Sequence, residues 1–173
     1  MAKKYKTVVA DPPWPLQRLG GGGKAPPEDF YSVLPVSLIA SFRFPCATQS
    51  HLYLWVTNRR VDWGYQVASA WGFDIVQMLT WCKPGLGVGR FQCNTEQVLV
   101  CRKGKPQGNP FGRTHGTYFN WKRGRHSEKP EGFYDLVEQI SPGPYLDMFA
   151  RRKRLGWDVW GNEVDSDIEL DLP

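Results

Sequence analysis

The 173-residue sequence predicts an α/β domain built on a mostly parallel sheet. Three observations point there: short apolar runs recur along the chain, helical patterns lie between them, and turn residues cut the runs off abruptly. Thr7-Val8-Val9-Ala10 reads as a buried strand, and Asp11-Pro12-Pro13-Trp14-Pro15 forces the chain out of the sheet because proline cannot continue a ladder. Gly20 to Pro27 reads as a loop without regular structure, and its Gly-rich run ends Lys24-Ala25, lacking the Ser or Thr of a phosphate loop. Leu52 to Val56 is a second strand, and Val61 to Trp71 is a helix stopped by Gly72. Ile75 to Trp81 and Gln97 to Cys101 read as two more strands, whereas no period is visible from Arg102 to Lys129. After Pro130, residues Phe133, Leu136, Val137 and Ile140 fall at i, i+3, i+4 and i+7, the apolar stripe of a helix. Ser141-Pro142-Gly143-Pro144 ends it, and Tyr145 to Phe149 and Trp157 to Trp160 read as the last strands, before an acidic tail over 164–173. A single domain, 1–173, is expected, since one apolar core can form at this length.

Hydrophobic residues make up 41% and charged residues 23%, the mix of a soluble globular protein, and no apolar run approaches the ~20 residues needed to cross a bilayer. Cys46, Cys82, Cys93 and Cys101 form no CxxC pair, and with His51, His115 and His126 they offer no zinc-ligand spacing. With no secretory signal in view, free thiols in the cytoplasm and no metal are the expectation. A net charge of +5 and a pI near 9.1 accord with a polyanionic partner.

The segment 102–129 reads as a basic, aromatic-rich insertion that binds substrate. Arg102, Lys103, Lys105, Arg113, Lys122, Arg123, Arg125 and Lys129 stand there against a lone acid, Glu128, interleaved with Phe111, Tyr118, Phe119 and Trp121. Cations meet a nucleic-acid backbone and aromatic rings stack on its bases, so Arg113, Trp121, Lys122 and Arg123 are candidate substrate contacts. An ordinary solvated loop is the competing reading.

Asp11-Pro12-Pro13-Trp14 is the most informative feature. Sheets of this class bind ligands beyond the carboxyl ends of their strands, and Asp11, Arg151 and Asn162 each directly follow an expected strand. The N6 amine of adenine is a poor nucleophile because its lone pair is delocalised into the ring. A carboxylate that accepts one N–H and a backbone carbonyl that accepts the other favour the pyramidal nitrogen and bear the positive charge that develops on attack. Proline fixes the backbone and offers a carbonyl without a competing N–H, and Trp14 offers a ring for the base. A sharp turn with a buried Trp is the alternative for the tetrapeptide alone.

Further blocks follow in order: Phe30-Tyr31-Ser32-Val33-Leu34, Leu52-Tyr53-Leu54-Trp55-Val56-Thr57, Thr80-Trp81-Cys82-Lys83 and Asn94-Thr95-Glu96. After them come Ser127-Glu128-Lys129-Pro130, Ser141-Pro142-Gly143, Met148-Phe149-Ala150-Arg151 and Trp160-Gly161-Asn162-Glu163. With these blocks the chain, from about Lys6 to Glu163, resembles the DPPW-type (MT-A-like) adenine/adenosine-N6 methyltransferases, in particular their small bacterial and phage branch. The resemblance implies a Rossmann-like S-adenosylmethionine-dependent fold in permuted order, the catalytic DPPW preceding the cofactor-binding strand. It implies that Asp11 and the Pro12 carbonyl hold the target amine while Pro13 and Trp14 shape the pocket. Tyr31 and Glu96 match positions near the target base, and Lys129 matches one between the base and the methionine carboxylate. Asp11, Phe149, Arg151, Asn162 and Glu163 match positions around the cofactor. Ala150 stands where relatives of the mRNA enzyme carry Gly. The upstream Asp-Ile segment that clasps the cofactor adenine in larger members has no counterpart ahead of Asp11, which makes Asp167-Ile168 the candidate replacement. A solvated acidic tail is the other reading of that segment.

The resemblance implies methylation of adenine N6 in DNA, with RNA as the second choice. A catalytically inactive nucleic-acid-binding or scaffold homologue is the reading from a different class. With no separate target-recognition domain in view, a homodimer or a partner subunit is the expected source of any extended specificity.

Overall fold

The computed structural model describes residues 3–15, 33–85, 90–91, 93–108, 114–122, 124 and 128–170. The loop expected over Gly20 to Pro27, and Phe111, lie outside them. The elements are β1 (Tyr5–Ala10), α1 (Val36–Ser41), β2 (Cys46–Thr57), a 3₁₀ turn (Asn58–Arg60), α2 (Val61–Ala70), β3 (Asp74–Cys82), β4 (Thr95–Lys103), β5 (Tyr118–Phe119), α3 (Glu131–Ile140), β6 (Tyr145–Met148) and β7 (Trp157–Trp160). The strands form one sheet in the order β5-β3-β4-β2-β1-β6-β7. β4 alone runs against its neighbours; every other pairing is parallel, as the alternation of strands and helices predicts.

Side chains alternate across the central strands with the period of two that a pleat imposes. Val8, Ala10, Leu52, Leu54 and Val56 pack against Ile39 of α1 and Val67 and Ala68 of α2. Val9, Tyr53 and Trp55 point the other way, against Phe133, Leu136 and Val137 of α3. Both faces are covered, so these strands read as unbroken apolar runs rather than as alternating ones. Gly64 lets α2 lie close on the sheet, since a Cβ there would sit 2.5 Å from Val56 Cγ1 and 2.7 Å from Leu99 Cδ1.

Four features differ from the sequence expectation. α1 is six residues long and buries only Ile39, too little for a helical period to show. β2 starts at Cys46, because its polar first half pairs with β4 and with the start of β1 instead of filling the core. Within the aperiodic basic stretch, Arg102 and Lys103 complete β4, and Tyr118–Phe119 adds β5 beside β3. Phe149 ends β6 rather than extending it, with a φ of 63° that a non-glycine residue rarely adopts.

β1 is the switch point of the sheet. The chain goes from β1 to β2 on one side, and β6 and β7 later add to the other. The crevice at the carboxyl end of such a strand is where sheets of this class hold ligands.

Candidate active site

β1, β2, β3, β6 and β7 share one direction, so their carboxyl ends line a common rim. Antiparallel β4 brings its amino end to the same rim, with Glu96 in register with Thr57 on one side and Trp81 on the other. Asp11, Lys83, Glu96 and Arg151 are thereby gathered from four strands, and Lys129 enters just ahead of α3.

The tetrapeptide is tied down at each residue after Asp11. The Asp11 N–H donates to the Met148 carbonyl at 3.3 Å, prolonging the β1–β6 ladder by one step. The Pro12 carbonyl accepts the Trp14 N–H at 2.8 Å, and the Pro13 carbonyl accepts that of Leu34 at 2.9 Å. A carbonyl has two lone pairs, and among the described residues the Trp14 N–H takes one of those on Pro12. Trp14 is 6% exposed and donates its indole N–H to the Trp55 carbonyl at 2.9 Å. In this structure the ring anchors the turn onto β2, with Trp63 alongside at 6.2 Å between centroids.

An ion cluster surrounds the Asp11 carboxylate. Lys129 Nζ lies 3.0 Å from Asp11 Oδ2 and 3.1 Å from Glu96 Oε2, and 4.8 Å from the Trp55 ring centroid. Lys83 pairs with the other Glu96 oxygen. Burial raises the Asp11 pKa above the usual carboxylate range; Lys129 and Arg151 oppose this, and Glu96 adds to it. Burial also pushes Glu96 up, but Lys129 and Lys83 outweigh it and hold that carboxyl below its ordinary value. Burial alone would lower the Lys129 pKa; the two carboxylates overcome it and keep the ammonium charged. A cation between two acids is how a buried cluster of this kind stays ionised.

The residues matched to cofactor positions gather at the ends of β6 and β7. Phe149 packs edge-on to Phe42 and Trp160, with centroids 5.5 and 5.3 Å away. Arg151 Nη1 lies 3.4 Å from Glu163 Oε1. A Cβ at Gly161 would sit 2.4 Å from the Ala150 carbonyl oxygen, so Gly161 lets the two strand ends close up beside Asn162. Asp11, Lys129, Phe149 and Arg151 line one narrow crevice. Asp167 binds β7: its N–H donates to the Val159 carbonyl at 2.8 Å, and its carboxylate accepts from the Val159 N–H at 3.0 Å and from Lys153 at 2.9 Å. Ile168 packs against the core.

Of the expected substrate contacts, Tyr31, Arg113 and Arg123 lie outside the described residues. Trp121 stacks on Phe119 at 4.2 Å and meets Phe133 edge-on, so it is partly committed to the core. Lys122 is exposed.

Asp147 is a site residue that the sequence reading missed. It lies in the middle of β6, 6% exposed, lining the same crevice as Asp11 and accepting a hydrogen bond from Tyr134 Oη at 2.8 Å. The signal was an acid flanked by Leu146 and Met148 in an apolar strand. Burial pushes its carboxyl up to about 7, with Tyr134 pulling down and the Asp11 charge pushing up. An acid with a higher pKa in the fold than in the unfolded chain binds its proton more tightly when folded. Its contribution to stability is therefore lost as pH rises from about 4 to about 7. Asp147→Asn keeps an acceptor for Tyr134 and removes this titration. Thermal melts between pH 5 and pH 8 should show wild type losing stability relative to the variant, by at most about 3 kcal/mol. Parallel curves would remove the assignment.

A carboxylate-proline turn at the switch point of a mostly parallel sheet, facing a crevice between strand ends, defines a Rossmann-like methyltransferase fold. The MT-A70 family model matches residues 5–163, and the chain belongs to that family. Its relatives include the Type II methyltransferase M.MunI of Mycoplasma sp, 30% identical over 97% of this chain and 82% of its own length. The human N(6)-adenosine-methyltransferase catalytic subunit METTL3 is 28% identical over 97% of this chain, and the METTL3 subunit of Danio rerio 29% identical over the same share. This chain spans 30% and 29% of those two proteins, respectively.

Proposed function

We propose that the chain uses S-adenosylmethionine to methylate the N6 amine of adenine in DNA. The observation that carries this is the Asp11 carboxylate, partly buried at the switch point with its side chain 19% exposed, set beside the Pro12 carbonyl and backed by Lys129. The Mycoplasma relative, most of whose length this chain spans, is a Type II methyltransferase, and the METTL3 proteins are N(6)-adenosine-methyltransferases.

The residues at the ends of β6 and β7 fit the cofactor. Arg151, Asn162 and Glu163 would meet ribose hydroxyls beside Phe149, and Lys129 a carboxylate. When bound, the cofactor supplies a methyl group already activated on a sulfonium. The protein's own work is then to position the amine. Asp11 accepts one N–H of N6 and the Pro12 carbonyl the other, which frees the lone pair for attack. Asp11 is the nearest base for the proton that the amine loses afterwards. The resting Lys129–Asp11 pair keeps the carboxylate ionised until the amine arrives.

The test is transfer of an isotopic methyl group from S-adenosylmethionine to unmodified DNA and RNA in parallel, with products digested to nucleosides and identified by mass spectrometry. Label in N6-methyldeoxyadenosine supports the reading; label confined to N6-methyladenosine moves the substrate to RNA. Cofactor binding without label in either would favour a scaffold or a missing partner subunit.

A further inference from the structure

Past Glu96 the rim opens into a second, wider cavity of about 670 Å³, lined in part by Pro15, Thr57, Arg59, Arg60, Trp63 and Glu96. That lies within the ~300–1,000 Å³ of ordinary small-ligand sites. Asp11 and Lys129 face the narrow crevice instead, so the ion cluster stands between the two spaces, with Glu96 on the wall of the wider one.

The walls have a definite chemistry. Among the described residues, Arg59, Arg60 and Lys83 all line the cavity against a single acid, Glu96, which is already paired with both Lys83 and Lys129. The space is therefore cationic. The Arg60 guanidinium lies 3.8 Å from the Trp63 ring centroid, and Asp62 holds it there through Nε at 3.2 Å and Nη2 at 2.9 Å. With its side chain 43% exposed, that guanidinium offers a second flat face to solvent. The turn that carries it is braced against β4, where Gln97 donates to the Asn58 amide oxygen at 3.0 Å and Asn58 donates to Thr95. Thr57 Oγ1, also on the wall, is buried without a hydrogen-bond partner among the described residues. Trp63 adjoins Trp14, so this platform abuts the catalytic turn.

A planar cation already stacked on indole, beside a further arginine, matches a base with its phosphate. We infer that this cavity holds the nucleotide next to the target adenine in the substrate strand, with its base on the outer face of Arg60 over Trp63 and its phosphate at Arg59. The inference rests on the chain acting on a nucleic acid. Because every base has a π face, such a site fixes the register of the strand and adds affinity without reading sequence.

The test compares wild type, Arg60→Ala and Arg59→Ala on an oligonucleotide carrying one adenine that wild type methylates, and on copies with an abasic residue placed before or after it. Fluorescence anisotropy gives binding of the labelled strands, and isotopic transfer gives kcat and KM. Arg60→Ala should raise Kd and KM about tenfold on the full strand, and the ratio should collapse toward one on one of the two abasic copies. Arg59→Ala should weaken all strands alike and flatten the dependence of log Kd on log salt by about one ion. S-adenosylmethionine affinity should not move in either variant. An Arg60→Ala loss that is the same with and without the flanking base would put the target adenine itself on this platform and overturn the inference. So would variants that bind and turn over like wild type. If wild type neither binds nor methylates any strand, the nucleic-acid reading fails and this one with it, a result distinct from active wild type with indifferent variants.

Discussion

Asp11→Asn is expected to lower kcat by about a thousandfold or more while S-adenosylmethionine still binds. The substitution keeps the size and one acceptor oxygen but removes the charge that offsets the cation developing on N6. It also brings a second donor group toward the Lys129 ammonium, which lies 3.0 Å from Asp11 Oδ2 in wild type. Since the charge matters only once the nitrogen begins to pyramidalise, the loss should fall on kcat rather than on KM. Burial raises the wild-type Asp11 pKa, so the acid limb of the kcat–pH profile should lie above the ordinary carboxylate value of about 4. Single-turnover transfer of labelled methyl across pH, together with a thermal melt of the variant, checks both points. A folded Asp11→Asn protein with more than about a tenth of wild-type kcat would place the essential acceptor elsewhere.

Much of this centre is legible in the sequence because its residues are fixed by strand ends. An apolar run halted by Asp-Pro-Pro leaves Asp11 little choice but to sit at the rim, and the same logic places Arg151 and Asn162. The stripe of Phe133, Leu136 and Val137 likewise announces α3, since an amphipathic helix of ten residues shows its period. What was not legible depends on pairing. Glu96 is matched only through the Asn94-Thr95-Glu96 block; its place at the rim follows from β4 running against its neighbours, and no local pattern reveals strand direction. Lys83 and Arg60 acquire partners through the register of β3 with β4 and through the turn after β2. Asp147 was hidden differently: Tyr145 to Phe149 is legible as a strand, but that the acid within it is buried shows only once both faces of that strand prove covered.

Lys129→Met should be the most damaging substitution in the cluster that still leaves Asp11 in place. Wild-type Lys129, with a side chain 12% exposed, separates two carboxylates, Asp11 and Glu96, that would otherwise face each other across a buried space. Removing one member of a buried ion cluster typically costs about 3–5 kcal/mol, because the remaining charges keep their desolvation without compensation. Lys83 still neutralises Glu96 in the variant, so the uncompensated charge falls on Asp11. With its strongest stabilising neighbour gone, the Asp11 pKa rises further. A raised pKa leaves more of the carboxyl protonated near neutrality, and a protonated carboxyl is a poor acceptor for the amine. The acid limb of kcat should therefore move to higher pH, with activity at pH 7 down by about a hundredfold or more and partly recovered by raising the pH. Lys129→Arg retains the charge and should retain the wild-type limb. Loss of activity in Lys129→Met that no increase in pH relieves would mean that the lysine acts by binding alone, and an unshifted limb would mean that Asp11 does not depend on it for its charge.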